Sequence, residues 1–108
     1  MMTNTGGTER RRSQRIPLSV PLLVWSLDSA FAFCKHLSTV DVNDHGCLIS
    51  VPRPFPHGTP LRLDLLYSDH SITAYVIRSM PAETQVKFWN VALELDKPGN
   101  FWKVTSLP

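Results

Sequence analysis

Leu61-Arg62-Leu63-Asp64-Leu65 alternates apolar and charged side chains. Successive side chains of an extended chain point to opposite faces, so this stretch puts three leucines on one side and Arg62 and Asp64 on the other. A helix would scatter those leucines around its circumference; a half-buried strand gathers them. The same period of two returns at Ile72, Ala74 and Val76, and again at Trp89, Val91, Leu93 and Leu95. Upstream, residues 18–27 read as a strand in which Pro21 suggests an edge or a bulge. Residues 31–42 read as a second strand and residues 47–51 as a short third.

Turn chemistry separates these runs. Asp28-Ser29, Ser68-Asp69 and Asn43-Asp44-His45-Gly46 carry residues that favour turns, and Asn, Asp and Gly tolerate left-handed backbone. Prolines punctuate residues 52–60, which excludes a helix or a central strand there. Residues 80–84 read as a connection. Pro98-Gly99-Asn100 ends the last strand, and Phe101 and Trp102 are expected to fold back over one end of the core. Six short strands with turns between them predict an all-β fold, an antiparallel barrel or sandwich. The predicted core holds Leu61, Leu63, Leu65, Ile72, Val76, Val91, Leu93 and Leu95, with Arg62 and Asp64 exposed.

The chain has 108 residues, enough for one domain with one core. Its 43% hydrophobic content fits a folded globule rather than a disordered chain. Net charge is only +2, but Arg10, Arg11, Arg12 and Arg15 are concentrated near the N-terminus. A whole-surface nucleic-acid binder carries more positive charge, whereas a local site for a small anion fits this distribution. Residues 1–13 lack apolar periodicity and read as a flexible tail, poorly ordered before Arg15; residues 14–108 read as the folded domain. The N-terminal stretch has no apolar run after its charges, so no signal peptide is expected, and nothing approaches the length of a membrane span. The expected location is cytoplasmic. Cys34 and Cys47 form no metal-binding or disulfide pattern and are expected to be two buried free thiols.

Two clusters carry chemistry. In Thr39-Val40-Asp41-Val42-Asn43, strict alternation sends Val40 and Val42 into the core and Thr39, Asp41 and Asn43 outward, beside the turn at Gly46. An outward carboxylate accepts hydrogen bonds from the N–H groups of a guanine. Glycine at position 46 lets the chain turn without a Cβ penalty and lets a ligand come close. Taken alone, Asp41 and Asn43 read more plainly as ordinary turn residues at a strand end. In the other cluster, Arg11 and Arg15 stand four positions apart on a tail able to close over a charged ligand. Guanidinium groups pair bidentately with phosphate and stack on purines. A solvated basic tail is the plainer reading of these arginines.

The two clusters together resemble the PilZ domain family, whose pattern is R-x-x-x-R followed, after a strand pair, by D/N-x-S-x-x-G. Here the motifs read Arg11-Arg12-Ser13-Gln14-Arg15 and Asp41-Val42-Asn43-Asp44-His45-Gly46. The likeness runs over about residues 9–104, through "PFPHGTPLRLDL", "FWNVALEL" and "NFWKV". It implies a six-stranded antiparallel β-barrel of split-barrel type that binds the bacterial second messenger cyclic di-GMP. By position, Arg11, Arg12 and Arg15 would hold phosphate and guanine, Asp41 would accept from a guanine edge, Asn43 would lie beside it, and Gly46 would shape the turn. Two positions depart from the pattern: Asn43 replaces the family's serine, and Ala92 replaces a usual glycine in the last strand.

The expected function is therefore binding of cyclic di-GMP with relay to a separate protein partner, with no metal, no cofactor, no DNA or RNA and no membrane insertion. A PilZ-like barrel that binds a protein and no nucleotide is the alternative, and the two departures favour it. A single-stranded nucleic-acid barrel fits less well, because Trp89 alternates within an apolar face and the arginines lie in a tail. No catalytic constellation is visible: His36, His45, His57 and His70 form no metal pattern, and no nucleophile or phosphate-loop motif is present.

Overall fold

The computed structural model describes residues 14–102. They form six strands: β1 (Pro21–Ser26), β2 (Cys34–Asn43), β3 (Gly46–Val51), β4 (Pro60–Leu65), β5 (Ser71–Pro81) and β6 (Trp89–Leu95). All neighbouring pairs are antiparallel and the sheet closes on itself in the order β1-β2-β3-β6-β5-β4. Closure removes the exposed edges that an open six-stranded sheet would leave. Pro21 thus stands at the start of a strand within a closed barrel, not on a sheet edge. The connection expected at residues 80–84 begins later, since β5 continues to Pro81.

The inward rows follow the period of two. Leu22 and Val24 of β1, Ile49 and Val51 of β3, Leu61, Leu63 and Leu65 of β4, Ala74 and Val76 of β5, and Val91, Leu93 and Leu95 of β6 are all buried. Ile72 is only half-buried, at the margin of this core. Arg62 is exposed as expected, but Asp64 is half-buried. Its carboxylate accepts hydrogen bonds from the Trp25 indole Nε1–H (3.1 Å) and from Arg62 Nε (2.9 Å), which draws it down onto the sheet.

Aromatic side chains close both barrel ends. Phe55 packs edge-on against Phe31 and Phe33, each at 4.8 Å between centroids, beside the start of β2. At the other end of β2, Trp102 is buried and its Nε1–H donates to the Asn43 carbonyl at 2.9 Å. The fold-back expected of Trp102 therefore also secures the hairpin that carries the second motif.

Strict alternation fails in β2. The β2–β3 register shifts between Thr39 and Asp41, so Val40 is an extra residue bulged outward. Val40 is 45% exposed, while Thr39 is buried at 4%. Thr39 earlier read as outward and Val40 as core, and the bulge reverses both. The reason is polar: Thr39 Oγ1 accepts from Val20 N (2.8 Å) and donates to Leu18 O (2.6 Å). One hydroxyl thereby satisfies two backbone groups of the segment leading into β1. Beyond the bulge, Asp41 and Asn43 regain the outward face and Val42 the core. Cys47 is buried as expected, whereas Cys34 is exposed because it opposes Trp25 on the outside of the barrel.

Replacing Thr39 by Val keeps the shape but leaves Val20 N–H and Leu18 C=O without this partner. Urea denaturation is expected to show a loss of about 1–3 kcal/mol for Thr39→Val, and a change within about 0.5 kcal/mol for Val40→Thr on the surface.

Candidate functional site

Asn43 and Gly46 face each other across the β2–β3 hairpin, with Asp44 and His45 at its tip. Neither tip residue nor Gly46 has a positive φ, so the left-handed backbone expected of this turn is absent. Asn43 supports the turn instead. Its Oδ1 accepts hydrogen bonds from the backbone N–H groups of His45 and Gly46, both at 2.8 Å.

Gly46 is needed for a different reason than turning. A Cβ at this position would lie 1.9 Å from the carbonyl oxygen of Leu93 on β6. Any side chain would push β3 and β6 apart where the barrel closes. Gly46 is buried, since the β6 backbone fills the space that its Cβ would take. Along one outward row, Asn43, Gly46, Glu94 and Tyr75 follow one another across β2, β3, β6 and β5. The adjacent row reads Asp41, Leu48, Ala92 and Arg78. Ala92 is outward by register yet buried.

Arg15 reaches this face from the segment ahead of β1. Ile16 is anchored to Val42 by two backbone hydrogen bonds, Ile16 N to Val42 O at 2.8 Å and Val42 N to Ile16 O at 3.0 Å. That bridge fixes where Arg15 leaves the barrel. Its Nη1 donates to Asp41 Oδ1 at 2.7 Å, with the arginine about half exposed and the aspartate largely covered. The two motifs, 26 residues apart, are thus joined directly. Arg11 and Arg12 lie outside the described residues, as does the tail expected at residues 1–13.

A cleft of about 160 Å³ lies beside this pair. Arg15, Asn43, His45, Ile77 and Glu94 surround it, and Gly46, Cys47 and Leu93 contribute to its floor. Ile77 follows inward Val76 onto the outer face, beside a second bulge between Val76 and Arg78, and is 43% exposed. The sequence reading missed His45, Ile77 and Glu94. Both Glu94 and Ile77 had a signal, Glu94 as the outward residue between inward Leu93 and Leu95 and Ile77 as the residue after inward Val76. Beneath the cleft, burial pushes the Cys47 thiol pKa well up, the Asp41 carboxylate adds to the rise, and the Arg15 guanidinium opposes it.

A larger hollow, about 640 Å³, sits at the opposite barrel end among Trp25, Phe33, Cys34, Lys35 and Arg53. Its arginine is already engaged: Arg53 lies 4.3 Å above the Phe31 ring and donates to the Ala32 carbonyl. Neither motif contributes to it. Among the described residues no group of His, Cys, Asp or Glu is arranged to hold a metal ion, and no helix is long and apolar enough to cross a membrane.

The sequence profile of the PilZ domain matches residues 9–97, most of the chain. The chain belongs to the PilZ domain family. Its barrel is similar to the crystal structure of the PilZ domain of CeSA from a cellulose-synthesizing bacterium, with a TM-score of 0.53 and 17% identity over 81% of this chain and 84% of that one. At that identity the likeness is one of fold. No curated protein matches the chain. In this PilZ domain the family's two motifs converge through Arg15 and Asp41, and the position of the family's serine is taken by an asparagine that caps its own hairpin.

The two thiols are expected to behave oppositely. A thiol reagent such as DTNB at pH 8 should modify Cys34 alone in the native protein and both cysteines in denaturant; two fast thiols in the native state would contradict the burial of Cys47. Because the folded pKa of Cys47 is raised, its contribution to stability is complete below the unfolded thiol value of about 8.5 and declines as pH rises above it. Urea midpoints between pH 7.5 and 10 should therefore fall less for Cys47→Ala than for the parent, after allowing for the substitution itself.

Proposed function

We propose that this PilZ domain binds cyclic di-GMP on the outer face of β2, β3 and β6, at the cleft floored by Gly46. The observation that carries the reading is the Arg15–Asp41 contact at 2.7 Å beside that cleft. It brings a guanidinium suited to phosphate or a purine face together with a carboxylate suited to guanine N–H donors.

The energetics favour exchange with a ligand. An ion pair this exposed contributes roughly 0–1 kcal/mol, so releasing it costs little. Hydrogen bonds from a charged side chain to the ligand contribute roughly 1.5–3 kcal/mol each. The pair therefore holds Arg15 over the site without locking it there. Arg11 and Arg12 are the further cations within reach along the chain, and phosphate contact by these arginines makes binding weaken as salt rises. The action is binding rather than catalysis, with the ligand-bound arrangement of the Arg15 segment recognised by a protein partner.

A second reading has its own support. Asn43 Oδ1 is committed to two backbone amides of the turn, and Asp41 already has Arg15 as a partner. A site so well satisfied without ligand suits a PilZ domain that engages a protein and no nucleotide.

Calorimetric titration separates the two. The parent protein is expected to bind cyclic di-GMP, and Arg15→Ala and Asp41→Ala to weaken binding by about one to two orders of magnitude. Absence of binding at high micromolar ligand, with binding gained by Asn43→Ser, would favour the second reading.

A further inference from the structure

Among the described residues lining the cleft, Glu94 alone carries a charge that does not suit a phosphate. It lies on β6 directly opposite Gly46, which in turn opposes Asn43. Because Gly46 has no side chain, Glu94 and Asn43 face each other across a bare strip two strand spacings wide, about 10 Å. Ile77 adds an apolar wall, and Arg15 borders the same cleft. Among the described residues the Glu94 side chain makes no hydrogen bond or ion pair, whereas Asp41 is bound to Arg15.

From this arrangement we infer that Glu94 determines which nucleobase the cleft accepts, by receiving the Watson–Crick edge of guanine. The inference rests on the reading of the cleft as a cyclic di-GMP site. A flat purine fits on a floor without a Cβ, where only backbone approaches it. Guanine presents two adjacent donors on that edge, N1–H and N2–H, and a carboxylate offers two acceptor oxygens and no donor. Adenine presents N1, an acceptor, at the same place, which a carboxylate repels. Phosphate is repelled likewise, so the Glu94 side of the cleft takes a base and the arginine side takes a phosphate. One ligand orientation follows.

The test compares bases that differ by single groups. Affinities of the full chain are measured by calorimetry for cyclic di-GMP and for cyclic di-IMP, which lacks the N2 amino group, using the parent, Glu94→Gln and Glu94→Ala. Glu94 is exposed, so these variants should fold, and thermal melts confirm it. The parent should prefer cyclic di-GMP by about tenfold or more, a hydrogen bond to a charged acceptor. Glu94→Ala should lose most of that preference, and Glu94→Gln should lose part. The inference is overturned if Glu94→Ala keeps the parent's ratio while Arg15→Ala still weakens binding, since the site reading would then stand and only this role would fall. If the parent binds neither ligand, both readings fall together.

Discussion

The close approach of Gly46 to the Leu93 carbonyl is the constraint on which the rest of this molecule turns. At that point β3 meets β6 and the barrel closes. A methyl group there would sit 1.9 Å from a backbone oxygen, which no rotamer relieves. Gly46 also lines the cleft on the outer face. Structure and site thus draw on one glycine: its inward neighbours Cys47 and Leu93 enter the core, and its outer surface floors the cleft. Trp102 reinforces the arrangement from the barrel end, by bonding the Asn43 carbonyl at the root of the hairpin.

The polar groups around the hairpin divide the work between support and availability. Asn43 and Thr39 are structural, each using one side-chain oxygen to satisfy two backbone groups. Asp41 and Arg15 satisfy each other in a contact that solvent weakens. A site of this kind is preorganised in position yet cheap to open. The Cys47 thiol beneath it stays protonated because burial and the nearby Asp41 carboxylate both disfavour a thiolate.

Much of the fold was legible because the β4 and β6 alternation is uninterrupted and turn residues mark most strand ends. Leu61, Leu63 and Leu65 are inward as the period of two requires. The errors cluster where a bulge breaks that period. Val40 and Thr39 exchanged places because a hydroxyl that satisfies Val20 and Leu18 prevails over a valine's preference for the core. Ile77 faces outward as the alternation of Ile72, Ala74 and Val76 implies, and the β5 bulge at this point resets the register of the residues that follow. Of the site, the family motifs led to Arg15, Asp41, Asn43 and Gly46, which the barrel does bring together. The reason for Gly46 was misread, because a turn that needs glycine and a strand contact that needs glycine look alike in sequence. Free cysteines are usually buried, but the pairing of Cys34 with Trp25 places it on the outside.

The central claim is that the outer face around Gly46 is the ligand surface. The most direct measurement is a titration of 15N-labelled protein with cyclic di-GMP, followed by amide chemical shifts. The account predicts the largest shifts at Asp41, Gly46, Ile77 and Glu94 and at the Arg15 side chain, with residues of the Phe31–Phe55 end nearly unmoved. Shifts concentrated instead at Trp25, Phe33 and Arg53, or no shifts at saturating ligand, would contradict it.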